Sequence, residues 1–194
     1  MTSHMPTTTT TQMATHTAVS PVSATVSYWT TLDSPLGQLL LTADESGALT
    51  SLSVPGQKGG RTLESVEAAE SGGWRRDPGP FRAAEVQLAA YFAGELTRFQ
   101  LELRSSGTAF RQRVWDALDS VPYGETTTYG RIAARIGASR AAVRAVGGAI
   151  GANPLLVVRP CHRVIGADGS LTGYAGGLDR KRRLLGLEGV PLAP

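Results

Sequence analysis

The residues best suited to chemistry fall in one run, Asn153-Pro154-Leu155-Leu156-Val157-Val158-Arg159-Pro160-Cys161-His162-Arg163-Val164. The run holds the single cysteine of a 194-residue chain. A thiolate is the nucleophilic form of cysteine, and nearby positive charge favours it. The apolar stretch from Leu155 to Val158 predicts a short buried strand that Pro160 stops. A strand end that delivers a thiol beside an imidazole and a guanidinium would build a reactive nucleophile. The competing reading is a small buried hydrophobe, the usual fate of a free cysteine. The polar neighbours of Cys161 favour exposure and reactivity. The rest of the chain has to decide between the two.

Composition excludes several other chemistries. One cysteine cannot form an internal disulfide or a cysteine-built zinc site. Two of the three histidines, His4 and His16, lie near the N-terminus, away from His162. A histidine-built metal site is therefore not expected, and no cofactor is either. No run of about 18 apolar residues exists, so no transmembrane helix is expected. The start lacks a charged region followed by an apolar core, so a secretory signal is not expected and a cytoplasmic location is. The net charge of +3 is unevenly spread. From Arg104 onward 13 Lys and Arg face 6 Asp and Glu, whereas residues 1–103 carry 6 against 10. A basic second half suggests a polyanion, with nucleic acid first, although many such excesses serve only solubility.

The elements that must position the cysteine follow from pattern. Residues 1–25 are rich in Thr, Ser and Ala and predict a disordered tail; Ser3-His4-Met5 within it resembles a cloning remnant. Residues 26–104 predict a small α+β domain. Three short strands, Tyr28–Leu32, Gln38–Ala43 and Ala48–Val54, are separated by Asp33–Gly37 and Asp44–Gly47 turns, as in an antiparallel meander. Residues 55–80 predict a long loop with a helical piece near Leu63–Ala69. Phe81–Leu96 predicts a helix with Val86, Leu88, Ala89, Phe92 and Leu96 near helical spacing, and Phe99–Leu103 one more strand. No chemical constellation stands out there, and a structural role is expected.

Residues 105–194 predict a mostly helical second domain. Phe110, Val114, Ala117 and Leu118 share one face of a core helix. Thr126, Thr127 and Thr128 offer N-cap oxygens to a helix through Ile136, which Gly137 closes. Ser139 can cap the next helix, Arg140 to about Ile150. Two short helices joined through a glycine turn are the helix-turn-helix signature. The second helix has small side chains apart from its arginines. Small residues allow close approach to a DNA groove, or tight packing on a neighbouring element. Arg131, Arg135, Arg140 and Arg144, with no acid between Arg131 and Asn153, form the clearest basic patch. Gly166-Ala167-Asp168-Gly169 predicts a hairpin-type turn. Gly173-Tyr174-Ala175-Gly176-Gly177 predicts a loop that could wall a planar ligand, and Asp179 could cap a last helix, Arg180–Leu187.

Taken together, Pro160-Cys161-His162-Arg163-Val164 resembles the active-site motif of the 6-O-alkylguanine-DNA alkyltransferases, the DNA repair methyltransferases. Thr128-Tyr129-Gly130, Arg144 through Ala149, Asn153-Pro154, Gly173 through Leu178, and Leu184-Leu185 through Glu188-Gly189 follow in that family's order. The resemblance is strong over residues 108–190; residues 28–103 match in outline only. It implies a ribonuclease-H-like N-terminal domain and a winged helix-turn-helix C-terminal domain. It implies that Cys161 takes the alkyl group as a thioether, that His162 acts through a water as base, and that Glu188 orients His162. Asn153 would form a hinge. Tyr129 would assist flipping and protonate the leaving guanine, and Arg144 would fill the gap left by the flipped base. Arg140, Ala142 and Arg163 would lie on the DNA side. Tyr174, Ala175 and Gly176 would line the base pocket, and carbonyls near Cys161 and Val164 would accept the guanine amine. The partner implied is double-stranded DNA carrying 6-O-alkylguanine, with 4-O-alkylthymine as a second lesion. A monomer is expected, with no membrane partner and no metal.

This chemistry suits the residues. An alkylated base inside a duplex must be flipped out to be reached, and an inserted side chain offsets part of the unstacking cost. Repair at any sequence needs phosphate contact more than base reading. A thioether does not hydrolyse, and no second thiol exists to accept the group, so one turnover per molecule is expected. Arg159 departs from the family pattern, where an apolar residue precedes the proline, and Ala175 stands where some members have Ser. Three other readings compete. An alkylated-DNA-binding protein without transfer would lack the cysteine. A helix-turn-helix regulator would survive Cys161→Ala. A cysteine hydrolase would turn over repeatedly and need an oxyanion site.

Overall fold

The computed structural model describes Met1 and residues 26–191. The expected disordered tail, with Ser3-His4-Met5, lies outside the described residues. The first half builds a sheet from β1 (Ser27–Leu32), β2 (Leu39–Ala43) and β3 (Leu49–Ser53). The turn after β1 closes with Gly37 donating to the Ser34 carbonyl at 3.0 Å. The turn after β2 is organised by Asp44, whose carboxylate accepts from the Ser46 and Ala48 amides. Such Asx turns are local and readable from sequence. All five residues of β2 are buried, which makes it the central strand of the meander.

A fourth strand, β4 (Trp74–Arg76), pairs in parallel with β1, giving the sheet order β3-β2-β1-β4. It lies where a loop was expected, because three residues with two arginines carry no alternation. The pairing holds Arg76 over the Trp29 ring at 5.3 Å. Between β3 and β4 runs a short helix, α1 (Leu63–Glu67), with Thr62 as its cap. The strand expected over Phe99–Leu103 reduces to one bridge, Leu103 to Leu49. Gln87 takes up the backbone of Gln100 in its place, accepting from its amide and donating to its carbonyl.

The helix expected over Phe81–Leu96 is α2 (Arg82–Phe92). Its buried residues are Ala84, Leu88 and Tyr91, a spacing of four and three that defines one stripe. Val86, expected on that stripe, is 68% exposed.

The second half starts with α3 (Ala109–Asp119), capped by Thr108 and buried through Val114, Trp115, Ala117 and Leu118. Next come β5 (Thr127–Thr128) and α4 (Tyr129–Arg135), capped by Thr128, whose hydroxyl accepts from the Arg131 amide at 3.2 Å. Gly137, at φ +69, ends α4 in the left-handed conformation that glycine takes without strain. The single helix expected from Arg140 splits into a 3-10 turn, Arg140–Ala142, and α5 (Val143–Gly151). Ser139 makes no side-chain cap bond. Its hydroxyl is thus not the device that starts the element. The pair α4 and α5 forms the helix-turn-helix.

The turn at Gly166–Gly169 is present, with the Gly169 amide on the Gly166 carbonyl, but no hairpin follows. The strand before it, β6 (Val164–Ile165), instead pairs in parallel with β5. The chain closes with α6 (Leu178–Leu187). Its helix begins two residues earlier than expected, with Asp179 in the first turn. One core runs through both halves, from Leu41, Leu52 and Tyr91 to Trp115, Leu155, Leu156, Val164 and Leu184. The first half is therefore packed directly against the segment that carries the cysteine.

Candidate active site

The segment Leu155–Val158 is no strand. Two of its carbonyls are taken up in tight turns: Val158 donates to the Leu156 carbonyl at 2.8 Å and Arg159 to the Leu155 carbonyl at 2.9 Å. Val157 between them stands at φ +69. A β-branched residue there is strained, at a cost of order 1–3 kcal/mol. Pro160, at φ −81 and ψ 55, makes an inverse γ-turn, and the Cys161 amide closes it on the Arg159 carbonyl at 2.8 Å. Strand β3 holds this coil from the other domain, with Leu52 donating to Pro154 at 2.8 Å and accepting from Leu156 at 3.2 Å. The apolar side chains that suggested a strand are buried as foreseen; the backbone compacts so that Cys161–Arg163 can form a 3-10 turn facing inward.

Cys161 is consequently buried, not exposed. Burial pushes its thiol up to about 11, while an Asn153 hydrogen bond and the Lys181 and Arg159 charges pull the other way. Desolvation thus opposes the anion that the neighbouring charges favour. Asn153 is the organiser of the coil. Its Nδ2 donates to the Arg159 carbonyl at 3.0 Å and reaches Cys161 Sγ at 3.2 Å, and its Oδ1 accepts from the Leu155 amide.

Behind the cysteine lies a buried polar cluster on Glu188, at the C-terminal end of α6. His162 Nε2 donates to Glu188 Oε1 at 2.8 Å. Arg163 clasps both carboxylate oxygens, Nε to Oε2 at 2.8 Å and Nη2 to Oε1 at 2.9 Å. The Tyr91 hydroxyl donates to Oε1 at 2.7 Å, and the Gly124 amide to Oε2 at 3.2 Å. Burial opposes the charge on Glu188, but the bonds from His162 and Arg163 outweigh it and hold the carboxyl down to about 2. Burial keeps His162 below its ordinary value, with Arg163 and Lys181 adding to that and Glu188 opposing it. A neutral ring that donates from Nε2 carries its lone pair on Nδ1, and Nδ1 has no protein partner among the described residues.

Arg163 was expected on the DNA side. Its side chain instead points inward to Glu188 and to the Val121 carbonyl, so its charge is already committed. Arg159 is also buried. It pairs with Asp119 at 3.2 Å and lies over the Trp115 ring at 5.2 Å. The Val164 carbonyl accepts from Lys181 Nζ, which also bonds the Thr172 carbonyl at 2.6 Å. Burial lowers Lys181 to about 8.

A cavity of about 1120 Å³ opens over Cys161. Asn153, Tyr129, Tyr174 and Ala175 line it. The Tyr174 hydroxyl is buried there without a protein partner. Gly176 is required behind it, since a Cβ would come within 2.8 Å of the Tyr174 ring and 3.1 Å of Val54. The Tyr129 hydroxyl donates to the Thr172 carbonyl at 3.2 Å. Gly147 of α5 lies beside the Tyr129 ring, and the small residues Gly148 and Gly151 continue the wall. Arg140, Ala142 and Arg144 do not line the cavity; the two arginines are exposed near the start of the second helix of the pair.

Sequence reasoning missed Tyr91 and Lys181. Lys181 carried a signal: Lys181, Leu184, Leu185 and Glu188 recur at helical spacing, so the lysine belonged to the buried stripe of α6. Tyr91 follows Leu88 by three on the buried stripe of α2, but its partner Glu188, 97 residues away, left no local trace.

A helix-turn-helix whose neighbouring cavity ends on a lone cysteine, backed by a histidine and a buried carboxylate, defines a class: a DNA-directed protein with a built-in nucleophile. Comparison with known proteins sharpens this. Residues 27–105 match the sequence profile of the 6-O-methylguanine DNA methyltransferase ribonuclease-like domain, and residues 109–190 that of the DNA binding domain of the same proteins. The chain is 53% identical over 161 residues to the methylated-DNA–protein-cysteine methyltransferase of Mycobacterium tuberculosis, covering 83% of this chain and 92% of that one. It is 48% identical over 162 residues to the enzyme of the same name from Methanosarcina acetivorans, covering 84% and 98%. The crystal structure of Mycobacterium tuberculosis OGT in complex with DNA superposes with a TM-score of 0.73, at 53% identity over 83% of this chain and 92% of that one. The chain belongs to the 6-O-methylguanine DNA methyltransferase family.

Proposed function

We propose that this protein repairs DNA by moving an alkyl group from the 6-oxygen of guanine to Cys161, once per molecule. The observation that carries the reading is a single thiol at the base of a cavity, bonded by Asn153 and followed by a His162 whose Nδ1 is free. The 6-oxygen-alkyl carbon bond breaks as the sulfur-carbon bond forms. The thiol proton leaves toward Nδ1 of His162 through a water, and Glu188 orients the ring and stabilises the imidazolium. The departing guanine takes a proton, with the Tyr129 hydroxyl at the cavity wall as donor. Burial disfavours the thiolate of Cys161, and the unpartnered Nδ1 of His162 is the base placed to draw the proton off. Arg140, Ala142 and Arg144 approach the duplex, with Arg144 filling the space of the flipped base. Arg163 has a different part, as the clamp on Glu188. Val164 is buried and does not line the cavity, and its carbonyl accepts from Lys181 Nζ.

The domain division near residue 104 is functional in this reading: the first half braces the coil and supplies Tyr91, and the second carries the thiol and the DNA face. No helix among the described residues is long and apolar enough to cross a membrane, and a cytoplasmic monomer acting on DNA is the setting that suits such a protein. Intact mass after incubation with a duplex carrying 6-O-methylguanine is the test. Wild type should gain one methylene, saturating at one per chain, and Cys161→Ser none. A duplex that is bound while its lesion stays intact would leave the lesion-binding or regulator reading.

A further inference from the structure

The cavity over Cys161 is far larger than a base and a methyl group require, and most of its extra extent runs between the two halves of the chain. One wall is α5, at Gly147, Gly148 and Gly151. The other is the first half: β3 and the loop after it. Four cations line this groove, Lys58, Arg61, Arg104 and Arg111, and no Asp or Glu among the described residues does. That is notable in a half that carries 10 acids against 6 bases before Arg104. All four side chains belong to exposed residues. Arg104 is committed to Asp44 at 2.9 Å, and Arg61 lies over the Trp74 ring at 4.7 Å, fixed in position with its charge unneutralised. Lys58 and Arg111 have no ion-pair partner among the described residues. The groove is also continuous with the base pocket. The Lys58 amide donates to the Ala175 carbonyl at 3.1 Å, which ties the cationic loop to the pocket wall.

We infer that this interdomain groove is a second anion-binding surface, in which Lys58 and Arg61 of the first half, with Arg111 of α3, hold backbone phosphates of the DNA strand next to the flipped nucleotide. The inference rests on the proposed repair function. A strand whose base enters the pocket must bend its flanking backbone toward the pocket mouth, and the groove places fixed positive charge there at no sequence cost. Phosphate contacts of this kind add affinity without base preference.

The test is the salt dependence of binding to a duplex with one 6-O-methylguanine, measured by fluorescence anisotropy in a Cys161→Ser background. Each lost phosphate contact flattens the slope of log K against log salt by about 0.9. Lys58→Gln and Arg61→Gln should each do so, Arg61→Lys should keep the wild-type slope, and Arg98→Gln, an exposed arginine outside the groove, should also keep it. Wild-type slopes in both Gln variants, or an equal loss in Arg98→Gln, overturn the groove. Transfer from free 6-O-benzylguanine base, read by intact mass with Cys161 present, separates the two ideas. That substrate has no phosphate, so groove variants should react as wild type does. If wild-type protein takes no alkyl group from either the base or the duplex, the repair reading fails, while the slopes still decide the groove.

Discussion

Two sets of charged side chains in this protein do opposite things. Glu188, Arg163, His162 and Tyr91 are buried together, and each hydrogen-bonding group of the carboxylate has a protein partner. Arg131, Arg140 and Arg144, on the helix-turn-helix, are exposed and make no salt bridge among the described residues. A buried charge must be satisfied inside the fold, because removing one partner leaves another desolvated and alone. An exposed charge is already solvated by water and costs nothing to keep available. The first set therefore ties stability to the chemistry of the thiol. The second is free to meet a polyanion.

The largest effect should come from breaking the buried set at its centre. Glu188→Ala would strand a buried guanidinium and leave His162 Nε2 without an acceptor, at a cost of about 3–5 kcal/mol. Denaturant unfolding would read this as a lowered midpoint, and alkyl transfer should fall with it. The gentler Glu188→Gln keeps the shape and tests the charge through pH. The folded carboxyl sits at about 2, below its ordinary value of 4.5. The folded state thus binds the proton less readily than the unfolded one. Its stabilisation is complete above pH 4.5 and fades as pH falls toward 2. The Gln variant should lose stability at neutral pH and show a flatter acid limb. An acid limb as steep as that of wild type would place the effect on other carboxylates.

Next in size is Tyr91→Phe, which removes the one hydroxyl that reaches the cluster from the first half. A hydrogen bond to a charged group is worth about 1.5–3 kcal/mol, and the remaining partners of Oε1 argue for the lower end. The transfer rate should change little, since His162 and Arg163 still hold the carboxylate. A large loss of rate with little loss of stability would mean that the first half acts on the chemistry itself.

This contrast also explains what the sequence could reveal. Local devices were legible: the Thr128 cap, the Gly137 stop, the turns at Asp44 and Gly37, and the helix pair. The motif residues Cys161, His162, Asn153 and Glu188 were legible through resemblance, and the structure brings them together. Features set by distant partners were not. β4 exists only because β1 is there to pair with it. Leu155–Val158 looked like a strand by composition, yet the hydrogen bonds of Asn153 and β3 fold it into turns. Arg163 was expected on the DNA side because charge alone does not report burial, which its partner Glu188 decides. The outcome for the thiol has the same cause: neighbouring charges are visible in sequence, while desolvation is not.

The smallest effect on stability should come from the exposed set. Arg144 is the second residue of α5, has an exposed side chain, and sits where a positive charge gains nothing from the helix dipole. Arg144→Ala should leave the denaturant midpoint within the range usual for surface substitutions. Alanine also favours the helix slightly more than arginine does. Transfer from a duplex should nevertheless fall sharply, because a side chain that holds the gap open is lost at the step where the base leaves the stack. Transfer from the free 6-O-benzylguanine base needs no flipping and should be unchanged. Parallel single-turnover measurements on the two substrates separate these expectations. An equal fall on both would mean that Arg144 supports the pocket, and the division between a buried set that serves the fold and an exposed set that serves DNA would not hold.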